Sequence, residues 1–238
     1  TVQREELPAW YYSMMYKGQF ESPQGLVYPD VTYTEPFAIP PHWVRFIGID
    51  PTHGGQDEFA AVWLAYDPFD PETWYVYREF YLSCTPKLKA LDQQRRQPHE
   101  MLDMIYAMST REVWDQDAGA LVHTTMREDI SRIFVDPSKP ETRYDVQQLF
   151  PEAMVFKADP KLSGLTEVGR ELKTGRLLVF KNLIHFQMEQ TSYIYPYNQF
   201  GDVIGEVPLD RSNHLMDALR YAVRQSDESR GLAEPSFG

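Results

Sequence analysis

The sequence predicts a mixed α/β fold in which helices flank a sheet with both antiparallel and parallel strands. Three β-rich runs follow one another at residues 42–51, 59–67 and 74–83, separated only by short turns, which is typical of an antiparallel meander. Beyond residue 133, short β-rich runs alternate with helical patterns, which favours βαβ units and parallel strands. The 238 residues, 42% of them hydrophobic, suffice for one substantial core.

Residues 1–40 are predicted to be a connector that precedes this domain. They are rich in aromatic residues and broken by prolines, and after the run ELPAWYYSMMY they show the period of neither a strand nor a helix. The chain begins without methionine. We therefore expect a fragment of a longer protein, with the folded domain at residues 41–238 and a second activity in the missing N-terminal part.

The elements after the meander are predicted from apolar spacing and from turn residues. Apolar residues between Pro86 and Met108 have helical spacing, with Pro98 as an interruption, and residues 111–132 are expected to be partly helical. The last helix is predicted to follow Ser212 as its N-cap. Between them the sequence predicts strands at 133–138, 152–159 and 177–180, helices at 144–150, 165–175 and 183–195, and a β-hairpin at 195–210 around Gly201-Asp202.

Charge and cysteine content narrow the class of protein. The chain has 23 Lys and Arg against 35 Asp and Glu, so its net charge is −12, which argues against a protein that coats nucleic acid or a membrane through bulk charge. Its single cysteine, Cys84, cannot form an internal disulfide, which favours a reducing compartment. No apolar run approaches the length of a transmembrane helix.

Three aspartates and one histidine are the candidate functional residues. Asp50 and Asp136 each end a β-rich run and are followed by proline, which cannot continue a central strand. Asp217 lies within the last predicted helix, and His214 precedes it by three residues, so both project from one helical face.

These carboxylates could act together only if the two strand ends and the helix are neighbours. Carboxylates a few ångströms apart raise one another's pKa unless a cation neutralises them, and Mg²⁺ and Mn²⁺ are the cations that oxygen ligands suit best. Asp115 and Asp117 compete with Asp136 for its role, although no β-rich run precedes them. No nucleophile-elbow motif accompanies a serine in this chain.

Four stretches carry a family pattern: FIGIDPTHGGQDEFAAVWLAYD, IFVDPSKPE, GRELKTGRLLVF and SNHLMDALRYAV. In them the chain resembles the nuclease domain of the large terminase subunit of tailed double-stranded DNA bacteriophages. An acidic residue in a helix that reads D-A-x-R-Y is a hallmark of that family, and GLVYP before the first strand is similar to its ATPase-to-nuclease connector. The resemblance is best at residues 18–67 and 133–223, and little of it extends to 84–132.

The resemblance implies a ribonuclease H-like fold and an endonuclease that hydrolyses DNA with two divalent cations, Mg²⁺ or Mn²⁺. Asp50 would bridge both ions, Asp136 and Asp217 would each complete one site, and His214 would be a further ligand or an acid-base group. The implied role is cleavage of concatemeric viral DNA during genome packaging in the host cell cytoplasm. The implied partners are double-stranded DNA, the portal protein, the small terminase subunit and the ATPase domain of the same polypeptide, with no membrane.

DNA contact has to come from local positive charge, because the chain as a whole is acidic. Between residues 160 and 181, five basic residues stand against two acidic ones, although a solvated helix face explains this cluster equally well. Related nucleases carry a hairpin beside the active site, and residues 195–210 are the candidate for it. The candidate DNA-binding residues are Lys161, Arg170, Lys173, Arg176, Tyr197, Asn198 and Arg211. No base-reading motif is present, which predicts little sequence specificity.

Two alternatives stay open at this point. The chain could be another ribonuclease H-like nuclease, of the Holliday-junction resolvase or transposase type. It could also be a non-catalytic docking module of the packaging motor, which would bind a partner but no divalent metal.

Overall fold

The computed structural model describes residues 25–51, 58–83, 98–117, 120–158, 163–198, 202–209, 211 and 213–230. In these residues a seven-stranded mixed sheet is flanked by helices, and a separate two-stranded ribbon stands beside it. The predicted mixed α/β fold is therefore confirmed. No helix of the described part is long and apolar enough to cross a membrane.

The meander forms the centre of the sheet, as predicted. Strand β2 (Val44–Asp50) pairs antiparallel with β3 (Glu58–Asp67), which pairs antiparallel with β4 (Asp70–Ser83). The third strand begins four residues earlier than predicted, because Asp67 pairs with Asp70 across a tight turn. Its backbone is held there by the amide of Phe69, which donates to Asp67 Oδ1 at 2.9 Å.

Parallel strands extend the meander on both sides. Beyond β2 lie β7 (Arg132–Val135) and then β8 (Met154–Lys157), and beyond β4 lie β9 (Leu177–Phe180) and then β1 (Thr32–Thr34). Strand β1 comes from the segment that the sequence assigns to the connector, and Tyr28 just before it is buried in the core. The division of the chain at residue 40 stays a prediction.

Five helices join or cover these strands in the described residues. They are α1 (Pro98–Met108), α2 (Pro140–Leu149), α3 (Ser163–Lys173), α4 (Ile184–Ser192) and α5 (His214–Arg230). Gly175 follows α3 with φ of +69°, the left-handed conformation expected of a residue that ends a helix. Ser212, the predicted N-cap of α5, lies outside the described residues. So do residues 86–97 of the helix that was predicted between Pro86 and Met108.

The prediction of partly helical structure at residues 111–132 is wrong. Strands β5 (Thr110–Asp117) and β6 (Ala120–Arg127) pair antiparallel along their whole length and form the separate ribbon. Both runs contain β-branched residues such as Val113, Thr124 and Thr125, and a strand is stabilised by cross-strand pairs that periodicity in a single segment does not reveal.

Helix α5 packs closely against β2 because of one glycine. A Cβ added to Gly48 would lie 1.9 Å from the carbonyl oxygen of Ala218, which no side chain could accommodate. The backbone of α5 therefore lies directly on β2, two residues before Asp50. The apolar face of the helix is fully buried there. It consists of Leu215, Met216, Ala218, Leu219 and Ala222.

We expect Gly48→Ala to destabilise the protein by about 3 kcal/mol, because overpacking must push α5 away from β2. Gly169→Ala is the matched control, since a Cβ at Gly169 in α3 meets nothing within 4 Å and should stabilise the helix by about 0.5–1 kcal/mol. Urea unfolding of both variants measures the difference. A Gly48→Ala variant as stable as the original chain would contradict this account of the helix contact.

Candidate functional site

Asp50 and Asp136 lie side by side at one edge of the sheet. Strands β2 and β7 are parallel neighbours, so their carboxyl ends meet at the same edge. Asp50 is the last residue of β2, and the Asp136 amide, just beyond β7, donates to the carbonyl oxygen of Ile49 at 3.2 Å. This edge of the sheet is where the sequence expected a carboxylate pair.

The first turns of α5 bring two further predicted residues to the same place. His214 Nδ1 lies 2.9 Å from Asp50 Oδ2, so the helix begins directly over the end of β2. Asp217 follows one turn later, and its negative charge acts on Asp50. The structure thus brings together all four residues that the sequence singles out, Asp50, Asp136, His214 and Asp217, at one end of the sheet.

The alternatives to Asp136 lie elsewhere. Asp115 and Asp117 belong to β5, which pairs only with β6 and is not part of the main sheet. Asp136 instead follows a central strand directly beside Asp50. The sheet order therefore favours Asp136, and not Asp115 or Asp117, as the carboxylate that stands beside Asp50.

Each of the three aspartates accepts a hydrogen bond from a side chain in the first two turns of α5. His214 faces Asp50, and the Tyr221 hydroxyl donates to Asp136 Oδ2 at 2.9 Å. Asp217 Oδ1 accepts from Arg220 Nη2 at 2.6 Å and from its Nε at 3.2 Å, and Asp217 Oδ2 accepts from Asn213 Nδ2 at 3.1 Å. Helix α5 therefore carries two ligand candidates, Asp217 and His214, together with a hydrogen-bond partner for each of the three aspartates.

Two glutamates at the site were not predicted from the sequence. Glu58, the first residue of β3, places its Oε2 3.3 Å from His214 Nε2. Glu189 in α4 is 4% exposed, and its Oε2 accepts from the amide of Leu215 at 2.6 Å. Antiparallel pairing in the predicted meander could have indicated Glu58, because the start of β3 lies beside the end of β2. Nothing in the sequence around Glu189 indicates its position, which depends on how α4 packs on α5.

Burial and mutual repulsion perturb the titration of these groups. Burial raises the pKa of Asp50 to about 7; the hydrogen bond from His214 opposes this rise, and the charges of Asp217 and Asp136 add to it. Burial also raises the pKa of Glu189 to about 8, against the hydrogen bond from Leu215. Burial lowers the pKa of His214, but the hydrogen bond and the charge of Asp50, with Glu189 and Glu58, outweigh it and raise that pKa to about 9.

The donor set suits a hard divalent cation. It consists of carboxylates and one imidazole, and the carboxylates around Asp50 repel one another, as the raised pKa of Asp50 reflects. Among the described side chains, no three His, Cys, Asp or Glu residues already stand as a preformed metal site. The aspartates are instead engaged by donors from α5, two of which, His214 and Arg220, carry positive charge that offsets theirs.

The basic cluster predicted between residues 160 and 181 lies largely at the other end of the sheet. Arg176 precedes β9, whose first residue, Leu177, aligns through β4 and β3 with Val44 at the start of β2. Val44 lies six residues before Asp50, a distance of about 20 Å along a strand. Lys173 is exposed at the end of α3, near the same level, and Lys161 lies outside the described residues.

Charge pairing further reduces the positive potential of this cluster. Both Arg170 and Arg176 contact the buried carboxylate of Glu171, at 3.0 and 2.9 Å, and Arg176 also lies 3.4 Å from Glu72. Lys181 pairs with Glu35. These contacts favour a structural role for the two arginines.

The predicted hairpin residues lie in the segment that leads to α5. An isolated antiparallel bridge joins Tyr197 and Val203, and the Asn198 amide donates to the carbonyl oxygen of Asp202 at 2.9 Å. Tyr197 and Arg211 are exposed, whereas residues 199–201 and 210 lie outside the described part. The assignment of Tyr197, Asn198 and Arg211 to DNA binding stays a prediction.

The raised pKa of Glu189 predicts how the free energy of unfolding depends on pH. Its pKa in the folded protein is about 8 against 4.5 when unfolded, so the folded state holds the proton more tightly, and the resulting stability is lost as the pH rises from about 4.5 through 8. Glu189→Gln cannot lose a proton. In EDTA, the variant should therefore become more stable than the original chain above pH 8, by on the order of 1–3 kcal/mol.

Urea unfolding at pH 5.5 and pH 9 measures this effect. Glu141→Gln, at an exposed position in α2, is the control and should leave the pH dependence unchanged. An equal pH dependence in Glu189→Gln and the original chain would contradict the burial of a titrating carboxyl at this position.

Comparison with protein-family models and with curated proteins gives no match. Solved structures do match. Large terminase from the thermophilic bacteriophage D6E aligns with a TM-score of 0.63 and 16% identity, over 94% of this chain and 51% of that one. The same D6E protein has been solved with ADP and with ATP-γ-S.

Isolated nuclease domains match over most of their length. The P22 large terminase nuclease domain aligns with a TM-score of 0.57 and 14% identity, over 84% of this chain and 92% of that one. The nuclease domain of the bacteriophage SPP1 large terminase, solved with bound Mn, has a TM-score of 0.52 and 17% identity, over 84% of this chain and 99% of that one.

The chain thus spans about half of the D6E protein, 51% of its length, but nearly the full extent of the separate nuclease domains. At these identities the likeness concerns the fold. The structure neighbours expected from the motifs are the ones found, and the chain has the ribonuclease H-like fold of phage large terminase nuclease domains.

Proposed function

We propose that this chain is the nuclease domain of a large terminase and cleaves concatemeric viral DNA during packaging as a divalent-metal-dependent endodeoxyribonuclease. The observation that carries the proposal is the meeting of Asp50, Asp136 and Asp217, from two strand ends and one helix, at one edge of the sheet. The fold shared with the SPP1 nuclease domain, solved with bound Mn, supports it.

The aspartates are the residues that would hold two ions, Mg²⁺ or Mn²⁺. Asp50 is central among them because the charges of both Asp136 and Asp217 act on it, and it would be shared between the ions. Two such ions would supply an activated water and would stabilise the leaving 3′ oxygen, so no nucleophilic side chain would be needed. Asp136 and Asp217 would each complete one ion's ligand set.

His214 is placed to hold a proton or to complete the ligand set. Its Nδ1 faces Asp50 and its Nε2 faces Glu58, so the ring is oriented by a carboxylate on each side. With a pKa raised to about 9, it carries a proton at neutral pH in this structure. We propose that His214 holds this charge against Asp50 and that its Nε2 would serve either as a ligand or as a proton donor.

The domain is proposed to hold DNA weakly and with little sequence preference. Its net charge is −12, and in the described part Arg170 and Arg176 of the basic cluster are paired with Glu171. Most of the affinity for double-stranded DNA would come from the rest of a longer protein. The D6E protein is about twice as long and has been solved with ADP and with ATP-γ-S, which supports an ATPase domain as a partner of this domain.

The wider setting follows from the same proposal. A terminase nuclease works with the portal protein and the small terminase subunit in the cytoplasm of the host cell, and these are the partners and the location we propose. Of the two other interpretations of the sequence, the docking module is disfavoured by four titratable residues gathered at one sheet edge. A resolvase or transposase is distinguished by its substrate.

We expect the chain to cleave plasmid DNA in Mn²⁺ or Mg²⁺, and Asp50→Asn to reduce cleavage to the level of the EDTA control. The amide keeps the shape of Asp50 but removes the charge that would hold the ions. Asp67→Asn, at the far end of β3, is the matched control and should cut normally, because its Oδ1 still accepts from Phe69. Cleavage by Asp50→Asn in EDTA, or a preference for four-way junctions over linear duplex, would contradict the proposed function.

Divalent metal should also stabilise the protein near neutral pH. Ions that neutralise the clustered carboxylates bind only the folded state, and at a hundred times their Kd they add about 2.7 kcal/mol to its stability. Thermal unfolding with and without millimolar Mn²⁺ measures the rise in Tm, with Asp50→Asn as the variant that should lose it. A Tm that does not respond to Mn²⁺ in the original chain would argue against a metal site.

A further inference from the structure

We infer that Tyr221 is a positioning residue, which ties Asp136 to helix α5 and so sets where Asp136 stands relative to Asp217. The inference rests on the proposed function, because it concerns the ligands of the proposed ions. The Tyr221 hydroxyl donates to Asp136 Oδ2 at 2.9 Å, across 85 positions of sequence. This hydrogen bond joins the two elements that supply Asp136 and Asp217.

Asp136 needs such an anchor because it lies just beyond the end of a strand. Asp50 is the last residue of β2 and Asp217 is inside a helix, whereas Asp136 follows β7 in a turn. The amide of Ser138 holds its Oδ1 from within that turn at 2.6 Å. With Tyr221 on the other oxygen, donors from two different elements fix the plane of the carboxylate.

Tyr221 is itself buried and packed against Arg220. Its ring is 3% exposed, and the guanidinium of Arg220 lies 4.8 Å from its centroid. Arg220 in turn donates to Asp217 at 2.6 Å. The adjacent pair Arg220-Tyr221 therefore contacts both Asp217 and Asp136, which gives the last two letters of the D-A-x-R-Y pattern a physical role.

Tyr221→Phe removes the hydroxyl and leaves the ring in place, and Tyr77→Phe is its matched control. The Tyr77 hydroxyl also donates to a carboxylate, Glu128 Oε2 at 3.0 Å, and its ring is 7% exposed. Glu128 lies beside Arg45 on β2, five residues before Asp50. Each variant thus loses one hydrogen bond from a tyrosine hydroxyl to a carboxylate, half-buried and at the site for Tyr221, buried and away from the site for Tyr77.

Calorimetric titration with Mn²⁺ tests the inference. We expect the Kd for Mn²⁺ to rise about 10- to 100-fold in Tyr221→Phe, the range found when a partner of a metal ligand is removed, and to stay within about twofold in Tyr77→Phe. Tm should fall by a similar amount in both. Plasmid cleavage by Tyr221→Phe should recover at high Mn²⁺, which a defect in folding would not allow.

A double variant shows whether Tyr221 acts through Asp136. In Asp136→Asn, adding Tyr221→Phe should not raise the Kd for Mn²⁺ further, because the residue it positions has already lost its charge. A Tyr221→Phe protein that binds Mn²⁺ as tightly as Tyr77→Phe, while the original chain binds Mn²⁺ and cuts DNA, would overturn the positioning role alone. An original chain that neither binds Mn²⁺ nor cuts DNA would overturn the proposed function and this inference with it.

Discussion

The contact between α5 and β2 at Gly48 is the constraint on which the site depends. Because the Ala218 carbonyl occupies the space of a Cβ at Gly48, the helix lies on the strand at backbone distance. Asp50 is two residues further along the strand, and Asp217 immediately precedes Ala218 in the helix. Their relative position therefore follows from backbone packing, which is less adjustable than any side-chain contact.

The same helix also offsets the charge that the site accumulates. The negative charges of Asp136 and Asp217 act on Asp50, and burial adds to the free-energy cost of ionising Asp50. Side chains of α5 form a hydrogen bond with each of the three aspartates, and His214 and Arg220 do so as cations. Because the pKa values of Asp50, Glu189 and His214 are all raised, the folded state holds their protons more tightly, and the resulting stability is lost as the pH rises.

Pairing of opposite charges away from the aspartates bears on how the domain binds DNA. Arg170 and Arg176 contact Glu171, and Arg45 and Arg78 contact Glu128, so the described part uses these arginines to satisfy buried carboxylates. The charge of these four arginines is therefore neutralised within the domain. A domain of this kind fits the proposed nuclease, which would be brought to DNA by the rest of a longer protein.

The sequence by itself determined the elements with strong local signals and the residues at their ends. The meander, the helix that Gly175 ends, and the placement of Asp50, Asp136, His214 and Asp217 all follow from hydrophobic patterns, turn residues and a short motif. The tertiary structure alone decided the ribbon of β5 and β6, the approach of Glu58 and Glu189 to His214, and the pairing of Arg170 and Arg176. These features depend on contacts between segments distant in sequence, whose free energy no local pattern records.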